Sequence, residues 1–224
     1  MKNQETILRA VGIADACELL SCLFAYPNEV FAEGLVTGAV AQDAEGCLID
    51  AGVAEETAGE AALALRSWCD VDVAELFGVL RRTYTKLYLA PGGKALIFPY
   101  ETAFRHVERG LPGKPSLFRT SVTIDVERQM REAGVRAKND RTEPCDSVFE
   151  EFEFLSYLAA RWADALTREA EDEAARWEES LARFDVEHGA SWLRPFMEQT
   201  KEKGADTPYA AFAEVGLKLL EVLP

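Results

Sequence analysis

Histidine is nearly absent from this 224-residue chain, and its cysteines do not occur in metal-binding pairs. The two histidines are His106 and His188, and no H-E-x-x-H pattern occurs. The five cysteines show no C-x-x-C spacing, and an odd, irregularly spaced set is a poor disulfide framework. We therefore predict reduced, mostly buried thiols and no metal site.

Motifs for phosphate binding and hydrolysis are also missing. Neither G-x-G-x-x-G nor G-x-S-x-G occurs, and the segment "GLPGKPS" has Glu108 where a phosphate loop needs its first glycine. Charged residues interrupt the N-terminal segment "MKNQETILRAVGIADACELLSCLF", so it resembles neither a secretory signal nor a membrane span. We expect a cytoplasmic protein without an integral membrane segment and without a cofactor.

Positive charge is scarce. The chain has 24 lysines and arginines against 39 acidic residues, a net charge of −15. Residues 143–187 carry 14 of the acidic residues and only four arginines, so the acidity is concentrated there. Such a surface repels phosphate backbones and anionic lipid, which argues against nucleic acid as a partner. It favours a cationic partner, or serves solubility alone.

Runs of alternating apolar and polar residues, which are typical of strands, are missing too. Apolar residues recur instead at spacings of three and four, the pattern of helices. We predict an all-α fold of about ten helices, near residues 5–25, 28–39, 41–50, 54–69, 72–90, 120–133, 147–166 with a continuation to about 187, 191–203 and 207–222. In the first helix the buried side is predicted to contain Ile7, Leu8, Val11, Ala14, Leu19, Cys22 and Leu23.

A segment rich in proline and glycine separates the two halves of the chain. Residues 91–115 contain four prolines and four glycines around the apolar stretch "ALIFPYETAF". Such density disfavours a continuous helix and favours a partly extended backbone. We predict an ordered connector that packs against the helix containing Tyr84. The whole chain, 1–224, then forms one helical domain that divides loosely into an N-terminal region, residues 1–115, and a C-terminal region, residues 116–224.

The stretch "RTEPCDSVFEEFEFLSYLAARWADAL" has the features of a helix start. Ser147 and Glu150 have the spacing of a capping box, and Asp146 could cap the same helix. Pro144 disfavours helical geometry at Glu143 and so marks the end of the preceding loop. From local chemistry alone, a helix start is a better interpretation than a binding site.

Four short motifs occur in an order that resembles a known family. They are "YTKLY" at residues 84–88, "PYET" at 99–102, "EPCDS" at 143–147, and "HGASW" at 188–192 followed by Pro208 and Tyr209. Their order is similar to that in the TorD/DmsD-type redox-enzyme maturation chaperones. Two positions differ from the family pattern: Ser147 replaces a histidine, and Tyr88 replaces a residue that is usually phenylalanine.

The resemblance implies a non-enzymatic chaperone for a molybdenum-cofactor oxidoreductase. Such a protein binds the twin-arginine leader or the apo form of its client, assists cofactor insertion and delays export, acting as a monomer or homodimer. A leader with consecutive arginines and an apolar stretch needs carboxylates beside an apolar groove. The expected peptide-binding residues are Tyr84, Leu87, Tyr88, Pro99, Tyr100, Glu101, Glu143, Pro144, Asp146, Ser147, His188 and Trp192.

Two alternatives remain open from the sequence. One is a nitrate-reductase-type assembly chaperone that acts on a non-exported enzyme core. The other, from a different functional class, is a small helical hydrolase that uses Cys145, or paired carboxylates, with His188.

Overall fold

The computed structural model describes residues 2–89, 96–137 and 143–224, with the backbone alone for residues 2 and 3. These residues form eleven α-helices and two π-helical segments and no β-strand, which confirms the predicted all-α fold. In chain order the elements are α1 (Lys2–Phe24), α2 (Glu29–Val36), α3 (Ala39–Ala51), α4 (Glu55–Arg66), α5 (Val73–Tyr84), π1 (Thr85–Leu89), α6 (Glu101–Glu108), α7 (Ser121–Glu132), α8 (Val148–Thr167), α9 (Glu171–Phe184), π2 (Asp185–Leu193), α10 (Arg194–Lys203) and α11 (Pro208–Leu220).

The first helix lies at the centre of the fold. It packs along α8 on one side and against α3 and α11 on others. Gly12 permits the contact with α3, because a Cβ atom at this position would lie 2.2 Å from the backbone nitrogen of Ala51. A larger residue at position 12 would therefore separate the two helices.

The predicted buried side of α1 is partly wrong. Leu8 is half exposed and Cys22 is exposed, whereas the fully buried positions of this helix include Ala10, Ile13, Ala16, Cys17 and Leu20. A central helix that contacts several neighbours carries apolar residues all around, so its sequence does not single out one face. Both small and large side chains of α1 are therefore fully buried.

The structure differs from the sequence prediction in the length of α8 and in the conformation of the connector. The long helix α8 does not continue to residue 187, because the chain turns after Thr167 and Glu169 adopts a left-handed conformation with φ 56°. The connector was predicted to be partly extended, and the structure shows in addition the helix α6 within it, which the sequence did not predict. Asp146 accepts a hydrogen bond from the first turn of α6 (Thr102 N to Asp146 Oδ2, 2.9 Å), a long-range cap that the local sequence does not reveal.

The described residues of the connector pack as predicted. Ile97 N–H donates to the Leu87 carbonyl at 3.0 Å, so the segment joins the π-helical turn after α5. Ile97 is buried, and Phe98 packs against the same core. Residues 91–95 of the predicted connector lie outside the described residues. Buried residues of both halves belong to one core cluster, and the loose division near residue 115 stays a prediction.

No helix within the described ranges combines the length and apolar character needed to cross a membrane.

Candidate functional site

Two of the sequence motifs lie side by side in the structure. Tyr100 of "PYET" and Ser147 of "EPCDS" form an isolated antiparallel bridge. On either side of it, Glu101 N–H donates to the Asp146 carbonyl at 2.8 Å and Val148 N–H donates to the Pro99 carbonyl at 3.0 Å. The bridge therefore fixes the starts of α6 and α8 relative to each other.

Asp146 and Ser147 each cap a helix, but not the same one. Ser147 is the N-cap of α8, where its hydroxyl accepts a hydrogen bond from Glu150 N–H. Asp146 reaches the neighbouring helix instead and accepts the Thr102 N–H of α6. Both side chains are fully buried. Burial raises the pKa of Asp146, the hydrogen bond from Thr102 opposes this rise, and the nearby Glu101 adds to it.

A buried polar cluster lies beneath this bridge. Glu101 has no exposed surface, and its Oε2 lies 2.8 Å from Nδ1 of His188. The other ring nitrogen of His188 faces Oδ2 of Asp125 at 3.1 Å. Arg105, one turn after Glu101, forms an ion pair with its second oxygen. Burial lowers the pKa of His188, but the hydrogen bonds and charges of Glu101 and Asp125 outweigh that effect, and the net shift is upward.

A second buried carboxylate completes the cluster. Glu151 of α8 is fully buried and accepts the indole N–H of Trp192 at 2.7 Å. Burial raises the pKa of Glu151 well above its usual value, and the neighbouring charge of Glu101 raises it further. The raised pKa favours the protonated form of Glu151, because a second negative charge beside Glu101 would be destabilising.

The same atoms have a spacing that a cation could use. Ligand atoms of Glu101, Glu151 and His188 all lie within 4.8 Å of one another, and those of Asp125, Glu187 and His188 do as well. However, Arg105, His188 and Trp192 already contact three of the four oxygens of Glu101 and Glu151. The fourth, Oε1 of Glu151, is buried and has no hydrogen-bond partner among the described residues. The protein's own donors therefore already occupy three of the four oxygens.

The "YTKLY" motif lies in an aromatic cluster. Tyr84, Leu87 and Tyr88 are buried, and the ring of Tyr88 stacks on Phe196 and meets Phe24, Tyr84 and Tyr209 edge-on. The Tyr88 hydroxyl hydrogen-bonds to the buried Thr200 hydroxyl at 3.1 Å. This bond gives a structural reason for tyrosine where the family pattern has phenylalanine.

Both π-helical segments coincide with sequence motifs. Segment π1 contains most of "YTKLY", and π2 contains all of "HGASW". π-Helical turns are rare and occur frequently at functional sites, because they shift the direction of the side chains that follow. In π2 the shift accompanies the inward direction of His188 and Trp192, both of which are buried.

Few of the predicted peptide-binding residues have side chains that reach the surface. Tyr100 and Glu143 are half-buried, and the side chain of Tyr100 lies close enough to influence the pKa of the Glu143 carboxyl. Burial and the charge of Glu143 raise the pKa of Tyr84 to about 12. Tyr26, which is 50% exposed, packs its ring edge-on against Tyr84.

The structure thus brings the twelve predicted residues into one region but buries most of them. Tyr100 and Glu143 are the two of these residues with substantial accessible surface, and the other ten are buried: Tyr84, Leu87, Tyr88, Pro99, Glu101, Pro144, Asp146, Ser147, His188 and Trp192. Sequence reasoning missed Glu151, Arg105, Asp125 and Tyr26. Glu151 stands next to Glu150, which the sequence predicted as the partner of Ser147 in a capping box, so the sequence contained a hint of Glu151. No local pattern points to the other three residues.

Cys145 does not have the environment of a nucleophile. Its thiol is buried, and its Sγ lies 3.5 Å from the Thr123 carbonyl. Burial and the charges of Asp146 and Glu127 raise the pKa of this thiol to about 12, which disfavours the reactive thiolate. This chemistry speaks against Cys145 as the nucleophile of a hydrolase.

Comparisons with known proteins agree with the resemblance. The nitrate reductase delta subunit family matches residues 53–198, a range that contains all twelve predicted residues. The fold is similar to that of a protein described as a redox enzyme maturation protein, from Archaeoglobus fulgidus, with 22% identity, a TM-score of 0.52 and coverage of 93% of each chain. Among the curated proteins, none matches this chain. These findings confirm the resemblance to TorD-type maturation chaperones at the level of the family. Because the match covers well over half of the chain, the protein belongs to the nitrate reductase delta subunit family.

Proposed function

We propose that this protein is a redox enzyme maturation chaperone that binds the twin-arginine leader of a molybdenum-cofactor oxidoreductase. One observation carries the proposal: the family-like motifs, distant in sequence, converge on a single region. "PYET" and "EPCDS" pair through their backbones, "HGASW" supplies the partners of Glu101 and Glu151, and "YTKLY" contributes Tyr84 beside Glu143.

The exposed and the buried residues of the region have different roles in this proposal. Tyr26, Tyr100 and Glu143 present aromatic surface next to a carboxylate, which suits an arginine followed by an apolar residue. The buried residues below act as positioning residues. Asp146 and Ser147 hold the two helix starts together, and the Glu101–His188 pair ties α6 to π2.

Titration calorimetry with synthetic peptides tests the proposal. The first peptide carries two consecutive arginines and an apolar stretch, and the matched control carries citrulline, a neutral analogue, at both positions. We expect binding of the arginine peptide, at least about tenfold weaker binding of the citrulline peptide, and slower association at high ionic strength because exposed charges are then screened. Equal affinity for both peptides would contradict recognition of the arginines.

The name of the family favours a second candidate. A nitrate-reductase-type assembly chaperone would act on the core of a non-exported enzyme. The two functions predict different results when the chaperone is co-expressed with a client oxidoreductase with and without its leader. Co-purification that needs the leader supports the first function. Co-purification that persists undiminished without the leader supports the second.

A further inference from the structure

A small pocket lies beside the start of α8, on the side away from the His188 cluster. It has a volume of about 170 Å³, below the roughly 300 Å³ at which pockets for whole small molecules begin. The wall is mainly apolar, and carboxylates stand at its edge; the lining consists of Met130, Val135, Arg136, Ala137, Glu150, Glu153, Phe154 and Tyr157. Its size and lining suit one side chain of a partner better than a cofactor.

Glu150 is the unusual member of this lining. Its backbone N–H belongs to the cap formed by Ser147, but its side chain makes no ion pair or hydrogen bond with any described residue. The residue is nevertheless only 6% exposed. A buried carboxylate without a partner is costly, so proteins normally pair it, neutralise it or reserve it for a ligand.

The surroundings of Glu150 are acidic. Burial, together with the charges of Glu153, one turn along α8, and of Glu143, raises the pKa of Glu150 to about 7. Arg136 also lines the pocket, but it is exposed and makes no ion pair with Glu150. Tyr157 directs its hydroxyl away, to the Ala133 carbonyl at 3.2 Å. Nothing on the described walls compensates the Glu150 carboxylate.

We propose that this pocket binds the guanidinium group of one arginine of the client segment, with Glu150 as its buried carboxylate partner. The inference rests on the proposed function and adds a second binding position to it, beside the surface of Tyr100 and Glu143. Met130, Phe154 and Tyr157 face the methylene groups of the arginine, because long cationic side chains bury their stems on apolar surface. Glu153 adds a second carboxylate at the edge of the pocket.

Binding must change the protonation of Glu150. In the free protein a group with a pKa of about 7 is roughly half protonated at pH 7. A bound guanidinium favours the ionised form and lowers this pKa. The protein therefore releases protons when it binds arginine near neutral pH, and affinity falls as the pH decreases from 8 to 6.

Three proteins suffice for the test: wild type, Glu150→Gln, and the control Glu153→Gln, which removes an exposed carboxylate from the edge of the same pocket. The probe is the synthetic peptide with two consecutive arginines, titrated calorimetrically in buffers of different ionisation enthalpy at pH 6, 7 and 8. Thermal melts of the three free proteins are recorded in parallel. The wild-type protein alone already reports proton release.

We expect Glu150→Gln to weaken binding about tenfold or more, to abolish proton release, and to leave the melting temperature unchanged or higher. Glu153→Gln should retain proton release, and its loss of affinity should be several-fold smaller than that of Glu150→Gln. Three results would each overturn the assignment of the pocket and leave leader recognition intact. They are normal binding by Glu150→Gln, a lower melting temperature of Glu150→Gln, and binding by the wild-type protein without proton release. Failure of wild type to bind any arginine peptide would overturn leader recognition and this pocket together.

Discussion

His188 Nδ1 lies 2.8 Å from Oε2 of Glu101, although 87 positions separate the two residues in the chain. The second ring nitrogen faces Asp125, so a protonated imidazole satisfies both carboxylates. The pair connects α6 to π2, and Asp125 adds α7. A buried charge that has lost its partner costs about 3–5 kcal/mol, which makes this contact a principal constraint on the relative positions of the three elements.

The first prediction concerns the protonation of His188. Glu101→Gln removes the nearest negative charge, so the pKa of His188 falls, because burial then outweighs the remaining interaction with Asp125. NMR titration of the imidazole resonances measures this change. Asp125→Asn is the matched control and should lower the pKa less, since Asp125 is more exposed than Glu101. A His188 pKa that does not respond to either variant would contradict the proposed pairing.

The direction of the pH effect on stability follows from the raised pKa. Folding favours the protonated ring, so the contribution of His188 is fully present below the unfolded pKa of about 6.5 and is lost as the pH rises through the folded value. Glu101→Gln should remove this contribution.

The second prediction concerns the raised pKa of the buried Glu151 carboxyl group. Glu151→Gln keeps an acceptor for Trp192 and adds an amide donor towards Glu101. Because the folded pKa of Glu151 is raised, wild type loses stability as the pH rises from about 4.5 through that folded pKa. The variant does not, so its free energy of unfolding relative to wild type should increase with pH.

Urea unfolding at pH 5 and pH 8 measures this difference. Glu151→Ala serves as the control, because it leaves the buried Trp192 N–H without an acceptor and should cost about 1–3 kcal/mol at both pH values. A Glu151→Gln protein that is less stable than wild type at pH 8 would show that the carboxylate is ionised in the folded state.

The third prediction separates the two caps. Ser147→Ala and Asp146→Ala should each cost about 1 kcal/mol, but at different helices. Hydrogen exchange should increase at the Glu150 amide in the first variant and at the Thr102 amide in the second. Asp146→Asn retains an acceptor oxygen and should protect Thr102 nearly as well as wild type. Faster exchange at the same helix in both alanine variants would contradict the assignment of one cap to each helix.

The sequence was informative where contacts are local. Ser147 correctly predicted the start of α8. The predicted capping box is only half formed, because the Ser147 N–H donates to the Pro144 carbonyl at 3.1 Å and not to the Glu150 side chain. The periodicity of apolar residues likewise predicted most helices, with ends within a few residues of those in the structure. It did not predict α6, because Asp146, 44 positions away, provides the cap that allows a helix to begin within a segment rich in proline and glycine.

The site shows the same limit. Residue types and motif order selected residues that the structure brings together, but they did not show which of these side chains are buried. Asp146 was expected to contact an arginine directly, and it is fully buried between two helix starts. Pairs such as Glu101 with His188, or Glu151 with Trp192, join positions 87 and 41 residues apart. Such contacts depend on the packing of whole helices, which no local pattern encodes.

The last prediction explains one departure from the family pattern. Tyr88 and Thr200 share a hydrogen bond between buried hydroxyl groups. Tyr88→Phe leaves the Thr200 hydroxyl buried without this partner, which should lower the free energy of unfolding by about 1–3 kcal/mol. Tyr84→Phe is the control: burial and nearby negative charge raise the pKa of Tyr84 to about 12, and no hydrogen bond of its hydroxyl is seen with the described residues, so the loss should be smaller.

The double variant Tyr88→Phe/Thr200→Val decides whether the bond itself is responsible. Replacing both partners by apolar groups of similar shape removes the unsatisfied hydroxyl, and such pairs of changes are often nearly neutral. We therefore expect the double variant to recover most of the stability that Tyr88→Phe loses, with a non-additive coupling measured by urea unfolding in a double-mutant cycle. Additive losses would mean that Tyr88 contributes through ring packing on Phe196, 5.6 Å between centroids, and that its hydroxyl is incidental.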